Sequence, residues 1–360
     1  MSQSRLFTPL KIGNIEVQNR ISMAPLTRRR ATEERIPTPL MKEYYTQRAS
    51  TPGTLLIAEG TFISSNCGGF PNAPGIWRED QIAAWRTITD AVHAKGSFIF
   101  VQIFAVGRAA HAEVAKAEGV PIIAPSAIPI DESSVVPRTM TSEEVKQTVL
   151  DFIDAAKNAI RAGFDGVEVH GANGYLLDQF LQDVSNDRHD EYGGSVENRS
   201  RLTVEVLKAV VDAIGSERVG LRLSPWGTFQ GMRMHDPIPQ FTDTITKART
   251  FNLAFLHVRI DGNADYDGYD RIDFLLSLWK GPLLISDEYT PLTAQRLVDE
   301  KYPGKDIMVV FGRYFISNPD LVFRIRKDLE LNGYKADTFY TNTEVGYTDY
   351  PFSKEFLATQ

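Results

Sequence analysis

The sequence is poor in the residues that build disulfide scaffolds and membrane spans. Its 360 residues include one cysteine, Cys67, which excludes an internal disulfide and a cysteine-rich metal site. No apolar run approaches the roughly 18 residues that a membrane-spanning helix needs. The first seven residues, MSQSRLF, lack the apolar stretch of a signal peptide. We therefore expect a cytoplasmic protein that is stabilised by its core.

Positive charge is also in deficit. Lysine and arginine total 39 against 46 aspartates and glutamates, which gives a formal net charge of −7. An average field of this sign repels nucleic acid and anionic membranes, so we expect neither as a partner. The local basic run of residues 28–30 departs from this balance. Such a run is by default a solvated one, although this one follows the first predicted barrel strand and could bind a phosphorylated cofactor.

Eight short apolar runs rich in β-branched residues recur along the chain, and segments of helical period separate most of them. This alternation is typical of parallel βα units. Eight such units close most economically as an α/β (β/α)8 TIM barrel, whose strands share one mouth at their carboxyl ends. We therefore predict a single barrel domain over residues 1–360. The predicted strands are residues 21–25, 54–59, 98–104, 166–170, 219–224, 254–260, 282–286 and 307–312.

Further signals place helices and extensions around this barrel. The segment T-S-E-E, which starts at Thr141, is a capping box followed by helical periodicity, and a second helix is predicted over about residues 80–95. The connection of residues 105–140 contains four prolines and is too long for an ordinary βα loop. We expect it to form a cap over the mouth, and residues 1–20 to close the barrel bottom.

The most informative segment is residues 165–199, DGVEVHGANGYLLDQFLQDVSNDRHDEYGGSVENR. Its apolar strand ends at His170 and an amphipathic run starts near Tyr175, so these residues and Asn173 lie where a strand passes into a helix. His170 and Asn173 offer nitrogen donors for one carbonyl or phenolate oxygen, and Tyr175 offers an O–H group. A strand-end histidine and asparagine often satisfy buried backbone groups instead. The polar string that follows, however, has no explanation in core packing.

The same segment resembles the hallmark of the old yellow enzyme family of flavin-dependent ene-reductases, H-x-A-N-G-Y-L followed by N-x-R-x-D-x-Y-G-G-S-x-E-N-R. Further blocks similar to the family are NRISMAPLT from Asn19, VQI from Val101, GLRLSP from Gly220 and FGRYFISNPDL from Phe311. The resemblance covers nearly the whole chain and is that of a fungal-like member. It implies a TIM barrel that binds FMN and reduces activated C=C bonds of α,β-unsaturated carbonyl compounds.

The resemblance also implies a role for each matching residue. Hydride passes from flavin N5 to the substrate Cβ, Tyr175 donates a proton to Cα, and His170 and Asn173 bind the carbonyl oxygen. The reductant is NADPH or NADH, and NADPH is preferred by resemblance. The implied cofactor-binding residues are Pro25, Leu26, Thr27, Gly60, Gln102, Arg222, Gly312 and Arg313. The implied substrate-pocket residues are Phe104 and Tyr340, the second of which the tail of residues 339–360 carries toward the site.

Two arginines carry signals of their own. Arg222 lies in an otherwise apolar strand, so its charge needs an acceptor inside the barrel or at its rim. A structural carboxylate is one candidate acceptor, and by resemblance the N1/O2 edge of the flavin is another. Gly312 and Arg313 follow the last strand, where a backbone N–H and a guanidinium can hold a phosphate. A turn with a surface arginine is the alternative there, and by resemblance the phosphate is that of FMN.

Two features depart from the family pattern. Most members have a Gly-Asn pair after the seventh strand, whereas this chain has Asp287 and Glu288. Two carboxylates near a phosphate predict weaker retention of FMN. Phe104 stands where many relatives have tryptophan, and we expect it to reshape the substrate pocket without changing the chemistry.

Three other functions fit parts of the sequence. A non-redox barrel enzyme could use Gly312 and Arg313 for a substrate phosphate, but no strand-end lysine is placed for a Schiff base and no carboxylate/histidine cluster has metal-ligand spacing. A flavin-dependent reductase or isomerase of an unsaturated aldehyde, as in alkaloid-type metabolism, is the second, and Tyr175 favours net reduction. A flavin-binding protein without catalysis is the third, against which the intact triplet argues. Both a monomer and a homodimer fit this chain.

Overall fold

The computed structural model describes residues 4–261 and 270–360. The strands in this part of the chain are β1 (Leu10–Ile12), β2 (Ile15–Val17), β3 (Ile21–Met23), β4 (Leu55–Phe62), β5 (Phe98–Phe104), β6 (Ile123–Ala124), β7 (Arg138–Thr139), β8 (Gly166–Gly171), β9 (Val219–Leu223), β10 (Phe255–Arg259), β11 (Leu283–Ser286) and β12 (Ile307–Phe311). Eight of them close into a parallel barrel in the order β10-β11-β12-β3-β4-β5-β8-β9. The barrel fold predicted from the sequence is confirmed.

Helices alternate with the barrel strands through the part of the chain that the structure describes, and three further α-helices follow the last strand. In the same described residues they are α1 (Pro39–Arg48), α2 (Glu79–His93), α3 (Ala112–Glu118), α4 (Ser142–Arg161), α5 (Leu176–Leu181), α6 (Val196–Ile214), α7 (Ile238–Arg249), α8 (Arg271–Leu278), α9 (Pro291–Arg296), α10 (Arg313–Ser317), α11 (Leu321–Lys327) and α12 (Lys354–Leu357). Within the described chain no helix combines the length and the apolar character needed to cross a membrane.

All eight predicted strands lie in the barrel. The largest difference is at β4, which continues to Phe62 through a shift of register against β5 between Ala58 and Thr61. Irregular pairing of this kind bends a strand and re-aims its side chains. The predicted capping box of α4 is also present, because the Thr141 hydroxyl accepts from Glu144 N at 3.2 Å and the Glu144 carboxylate accepts from Thr141 N at 2.9 Å.

Apolar side chains fill the amino-terminal end of the barrel. Strands β1 and β2 form an antiparallel hairpin, and Ile12 and Val17 of this hairpin share a buried cluster with the barrel residues Phe100, Phe255 and Met308. Burial of side chains on this scale is the main favourable term in folding. A site is therefore expected at the opposite end, where the strands end at their carboxyl termini.

Residues 105–140 are more regular than a loop, since they contain α3 and the parallel pair β6–β7. Arg108 is buried and fastens this segment to the connection that follows β9. Its guanidinium donates to Ile128 O at 3.2 Å, to Pro129 O at 3.3 Å and to Gln230 O at 3.2 Å. Two segments far apart in sequence thus share one buried cation.

Two of the three arginines in the basic run of residues 28–30 are buried, so the default interpretation of a solvated run was wrong for them. Arg28 and Arg30 are 1% and 2% exposed. Arg28 donates to Gly346 O at 2.8 Å, and Arg30 donates to Phe339 O at 2.7 Å. A buried guanidinium needs acceptors, and the carbonyls of the carboxyl-terminal tail supply them. The two side chains therefore fasten the tail to the loop after β3, at the carboxyl end of the barrel.

Candidate active site

The predicted triplet comes together at the carboxyl end of β8. His170 lies within β8, Asn173 lies in the turn that follows, and Tyr175 is the N-cap residue of α5. The rings of His170 and Tyr175 are 4.9 Å apart between centroids and meet edge to face. The imidazole and the phenol therefore lie side by side, and Asn173 lies in the turn between them.

The turn between β8 and α5 has a demanding backbone. Asn173 and Gly174 both have positive φ angles, of 58° and 74°, a region that side chains with Cβ disfavour. A Cβ on Gly174 would lie 2.8 Å from Gln230 Cβ, so only glycine fits there. Asn173 N donates to the Ser224 hydroxyl at 2.7 Å, and Asn173 O accepts from the Gln230 amide at 2.9 Å. These bonds hold the turn in its strained form.

Asp178 anchors the same turn from within α5. Its carboxylate accepts from Gly174 N at 2.8 Å and from the Gln182 amide at 2.8 Å, and the Ser224 hydroxyl lies at 3.5 Å. The side chain is fully buried, and this burial raises its pKa to about 7. Its ionised form accepts every one of these donors. Asp178 therefore connects the protonation state of one buried group to the position of the triplet.

The nitrogen donors of the triplet are oriented by their neighbours. Arg259 Nη1 lies 3.4 Å from Asn173 Oδ1, which leaves the Asn173 Nδ2 group to donate to another acceptor. His170 Nδ1 is buried without a partner. Burial, followed by the Arg222 charge, lowers the pKa of His170 well below its usual value. The imidazole is thus neutral and has one N–H to donate.

Tyr175 sits against an aromatic wall. The ring of Phe104 is 5.1 Å and that of Phe70 is 5.9 Å from the Tyr175 ring, between centroids, and Phe62 stacks on Phe104 at 5.1 Å. This burial raises the pKa of Tyr175 to about 12. The phenol therefore keeps its proton at neutral pH until a strong base forms next to it.

Arg222 lies in β9, paired in register with His170 of β8. It is 7% exposed, and its Nε is buried without a partner. Among residues 4–261 and 270–360, no carboxylate oxygen lies within 4.0 Å of the guanidinium nitrogens. A structural carboxylate in this part of the chain is therefore not the acceptor of Arg222. Burial lowers the pKa of Arg222. A buried cation of this kind requires an acceptor supplied by a ligand.

Gln102 belongs to a buried network inside the barrel. Its amide nitrogen donates to Glu168 at 2.7 Å, the other Glu168 oxygen lies 2.7 Å from His257 Nδ1, and His257 Nε2 lies 3.1 Å from the Ser286 hydroxyl. Because the Gln102 nitrogen is committed to Glu168, the Gln102 carbonyl oxygen is left to accept an N–H. Burial lowers the pKa of His257.

The arrangement of these groups fits a flavin. Arg222 offers a buried cation with an unpartnered nitrogen, and Gln102 offers a carbonyl acceptor, which suit a ring edge that carries both C=O and N–H groups. A Cβ on Gly60 would lie 3.0 Å from the Phe104 ring, so a side chain at position 60 is disfavoured and the backbone remains open to a ligand. Pro25, Leu26 and Thr27 lie in the loop after β3 and lead into buried Arg28.

The phosphate end of the predicted site is more open. Gly312 follows β12, and Arg313 begins α10 with an exposed side chain whose guanidinium carbon lies 5.8 Å from the Tyr334 ring. Asp287 and Glu288 follow β11 directly. Tyr340 is 59% exposed, and the guanidinium carbon of Arg29 lies 4.9 Å from its ring centroid.

Sequence reasoning missed several residues that position the site. Glu168 could have been found, because it interrupts an apolar strand just as Arg222 does. Asp178 lies inside the matching block but was not singled out. Gln230 and Arg108 carry no local signal, since their partners lie 57 and 20 or more residues away.

Comparison with known proteins gives consistent results. A family model described as the NADH:flavin oxidoreductase / NADH oxidase family matches residues 5–332. The chain is 49% identical over 360 residues to a protein named chanoclavine-I aldehyde reductase fgaOx3 of Penicillium roqueforti, with 98% of each chain covered. It is 50% identical over 366 residues to a protein named NADP-dependent oxidoreductase lnbE of Aspergillus flavus, with 98% of this chain and 97% of that one covered. A solved structure of an old yellow enzyme homologue from Zymomonas mobilis superposes with a TM-score of 0.89 at 41% identity, covering 96% of this chain and 99% of that one.

Proposed function

The chain belongs to the NADH:flavin oxidoreductase / NADH oxidase family and has the fold of an old yellow enzyme homologue. We propose that its barrel mouth reduces the activated C=C bond of an α,β-unsaturated aldehyde or ketone. The chain is an oxidoreductase that uses a flavin and a nicotinamide reductant. We propose that the flavin is FMN and that the reductant is NADPH. A relative named NADP-dependent oxidoreductase supports NADPH. The carrying observation is that His170, Asn173 and Tyr175 lie at the junction of β8 and α5, with the His170 and Tyr175 rings 4.9 Å apart.

The residues assigned to FMN divide between its ring and its phosphate. Arg222 and the Gln102 carbonyl would hold the polar edge of the ring, and Thr27 and the backbone at Gly60 would also contact the ring. Gly312 and Arg313 would hold the phosphate. When bound, FMN supplies the redox chemistry, which takes hydride from the nicotinamide and gives it to the alkene Cβ.

His170 and Asn173 bind the carbonyl oxygen of the substrate. The neutral imidazole and the Asn173 Nδ2 group each donate one hydrogen bond, so the negative charge that grows on this oxygen is stabilised at two points. The surrounding Phe104 and Phe70 rings exclude water, which strengthens both bonds. The donors are positioned before the reaction by Arg259 and by the strained backbone of the turn.

Tyr175 transfers its proton to Cα. A pKa of about 12 keeps the phenol protonated at neutral pH, and the carbon that gains electron density is basic enough to take the proton. The phenolate left behind regains a proton from water, because Tyr175 is not fully buried. The product is a saturated carbonyl compound.

The names of two relatives favour an aldehyde over a ketone as the carbonyl partner, since each is called a chanoclavine-I aldehyde reductase. Isomerisation without net reduction is the second candidate, and Tyr175 argues against it because it supplies the proton that completes reduction. The discriminating experiment uses purified protein, NADPH and cyclohexenone or an aromatic enal.

We expect a yellow protein that consumes one NADPH for each saturated product. An isomer formed without NADPH consumption would favour the second candidate. A colourless protein with no turnover would overturn the proposed function.

A further inference from the structure

The three arginines after β3 do not share one role. The guanidiniums of Arg28 and Arg30 are occupied by tail carbonyls, with Arg30 donating to Phe339 O at 2.7 Å and to Thr338 O at 3.0 Å. Arg29 has no such acceptor. Its Nε is buried without a partner, and among the residues that the structure describes its guanidinium forms no ion pair. One cation of the three is left for a ligand.

The backbone explains why Arg29 differs from its neighbours. Its φ angle is 57°, in the left-handed region that a side chain with Cβ disfavours. Strained backbone at a residue persists where the surrounding structure imposes it, and it concentrates at functional sites. Here it turns Arg29 away from the tail carbonyls that bind Arg28 and Arg30.

Aromatic rings surround the Arg29 guanidinium. Its central carbon lies 4.9 Å from the ring centroid of Tyr340 and 5.9 Å from that of Phe70, and its Nη2 lies 3.4 Å from His111 Nε2. Burial, followed by the Arg29 charge, lowers the pKa of His111, so the imidazole stays neutral. No carboxylate among the described residues forms an ion pair with Arg29, so its positive charge is not cancelled, and the rings hold it in place.

Phe70 links this cation to the reacting end of the mouth. Its ring contacts both His111, at 4.9 Å, and Tyr175, at 5.9 Å, between centroids. Arg29 is thus separated from the proposed proton donor by one aromatic ring. A molecule whose reactive end lies beside Tyr175 can extend outward past Phe70 to Arg29.

We propose that Arg29, with the faces of Tyr340 and Phe70, forms a subsite for an oxyanion, and that the oxyanion is a phosphate of the dinucleotide reductant. This inference rests on the proposed function. A guanidinium offers forked N–H groups that match phosphate oxygens. The chain has a net charge of −7 and repels a polyanion on average, so a local cation at the entrance is needed to bind one. A carboxylate on the oxidising substrate has the same chemistry and is the competing source.

The test is equilibrium binding to the flavin-loaded full chain. Tetrahydro-NADPH, which carries every phosphate but cannot react, is titrated into the parent, Arg29→Met and Arg29→Lys. We expect its dissociation constant to rise about tenfold or more in Arg29→Met and less in Arg29→Lys, since tenfold is the effect of one modest contact. Arg326→Met is the matched control, because Arg326 also lies over an aromatic ring, that of Phe7 at 5.0 Å, away from the mouth.

A second arm separates the sources of the oxyanion. A phosphate-free dihydronicotinamide should reduce the parent and Arg29→Met at the same rate, and a neutral enone should oxidise both equally. If Arg29→Met lost as much reduction rate with the phosphate-free compound as with NADPH, Arg29 would have a structural role and the proposal would be overturned. If Arg29→Met bound tetrahydro-NADPH as the parent does but bound a carboxylate-bearing enone more weakly, the subsite would belong to the oxidising substrate. The assignment to the reductant would then be overturned. Absence of enone turnover in the parent would count against the proposed function alone, because the binding arm does not depend on it.

Discussion

The two sides of the barrel mouth are built differently. On the side of β8, the turn at Asn173 and Gly174 is anchored by uncharged donors and by one buried carboxylate, at distances of 2.7 to 2.9 Å. On the side of β10 to β12, charges of both signs crowd together. Arg259 pairs with Asp261 at 2.7 Å, while burial, with a contribution from Asp287, raises the pKa of Asp261. Hydrogen bonds hold the β8 side in one geometry, whereas a balance of opposite charges holds the side of β10 to β12. We therefore expect substitutions on the β8 side to change reaction rates and substitutions on the other side to change how tightly FMN is retained.

The largest effect should come from Tyr175→Phe. The change removes the proton donor to Cα but nothing that NADPH oxidation requires, so only the reaction with the alkene should slow, by about 10²–10⁴-fold. Stopped-flow measurement of the two half-reactions separates these steps. Equal losses in both would show that Tyr175 has another role.

His170→Ala and Asn173→Ala should each slow the reaction with the alkene by somewhat less. Removal of one donor to a developing oxyanion costs roughly 2.7–4 kcal/mol in a well-studied case, or about 10²–10³-fold in rate. Both variants should also bind phenols more weakly, which titration with a para-substituted phenol measures through its long-wavelength charge-transfer band. Parent-like phenol binding in both would reduce these residues to a structural role.

Asp178→Asn tests whether the turn between β8 and α5 depends on the negative charge of the Asp178 carboxylate. We expect a loss of about 10–100-fold in the reaction with the alkene, by analogy with residues that orient metal ligands. In the parent this rate should fall as the pH drops through about 7, because the protonated acid loses an acceptor for Gly174 N. Asp178→Asn should lack this dependence, and a pH profile that keeps it would assign the titration elsewhere.

The contribution of Asp178 to the free energy of unfolding should change with pH in the direction opposite to that of the reaction rate. The folded pKa of about 7 lies above the ordinary value of 3.8, so the folded chain holds this proton more tightly than the unfolded chain does. The contribution is present below pH 3.8 and is lost as the pH rises through about 7. Denaturant unfolding of the parent and of Asp178→Asn at several pH values measures the difference.

Arg222 joins the two sides, because it lies between the triplet and the charged strand ends. Arg222→Met removes its charge and Arg222→Lys keeps it, so the midpoint potential of bound flavin should fall more in the first. For a two-electron couple, about 30 mV corresponds to about 1.4 kcal/mol, and we expect a change of at least this size for the loss of a buried charge. Potentials equal to that of the parent in both variants would remove Arg222 from the flavin edge.

The smallest effect should appear on the charged side. Asp287→Gly combined with Glu288→Asn removes two carboxylates next to the assigned phosphate residues, and FMN should then dissociate several-fold more slowly. Alkene reduction by the loaded variant should stay at the parent level. Dissociation measured by flavin fluorescence tests the first statement, and an unchanged rate would show that these carboxylates point away from the phosphate.

The barrel and the triplet could be predicted because their signals are local. Alternation of short apolar runs marks the strands, and His170 through Tyr175 occupy six successive positions of one motif. The roles of Arg28 and Arg30 could not be predicted, because their acceptors lie more than 300 residues away. Gln230 is similar, since its amide reaches Asn173 only after two separate loops have folded against each other. Pairings of this kind depend on the closed barrel and leave no pattern in the sequence.

The bonds of Arg28 and Arg30 to the tail also set an order of assembly. Arg28 and the carbonyl of Gly346 are 318 residues apart, so their contact forms only after the ribosome has synthesised almost the whole chain. Contacts of such long sequence separation carry a large cost of chain closure and form slowly. A nascent chain can complete much of its barrel while the wall that carries Tyr340 is still missing. The wall of the mouth that carries Tyr340 therefore forms only when residues near the two ends of the chain meet.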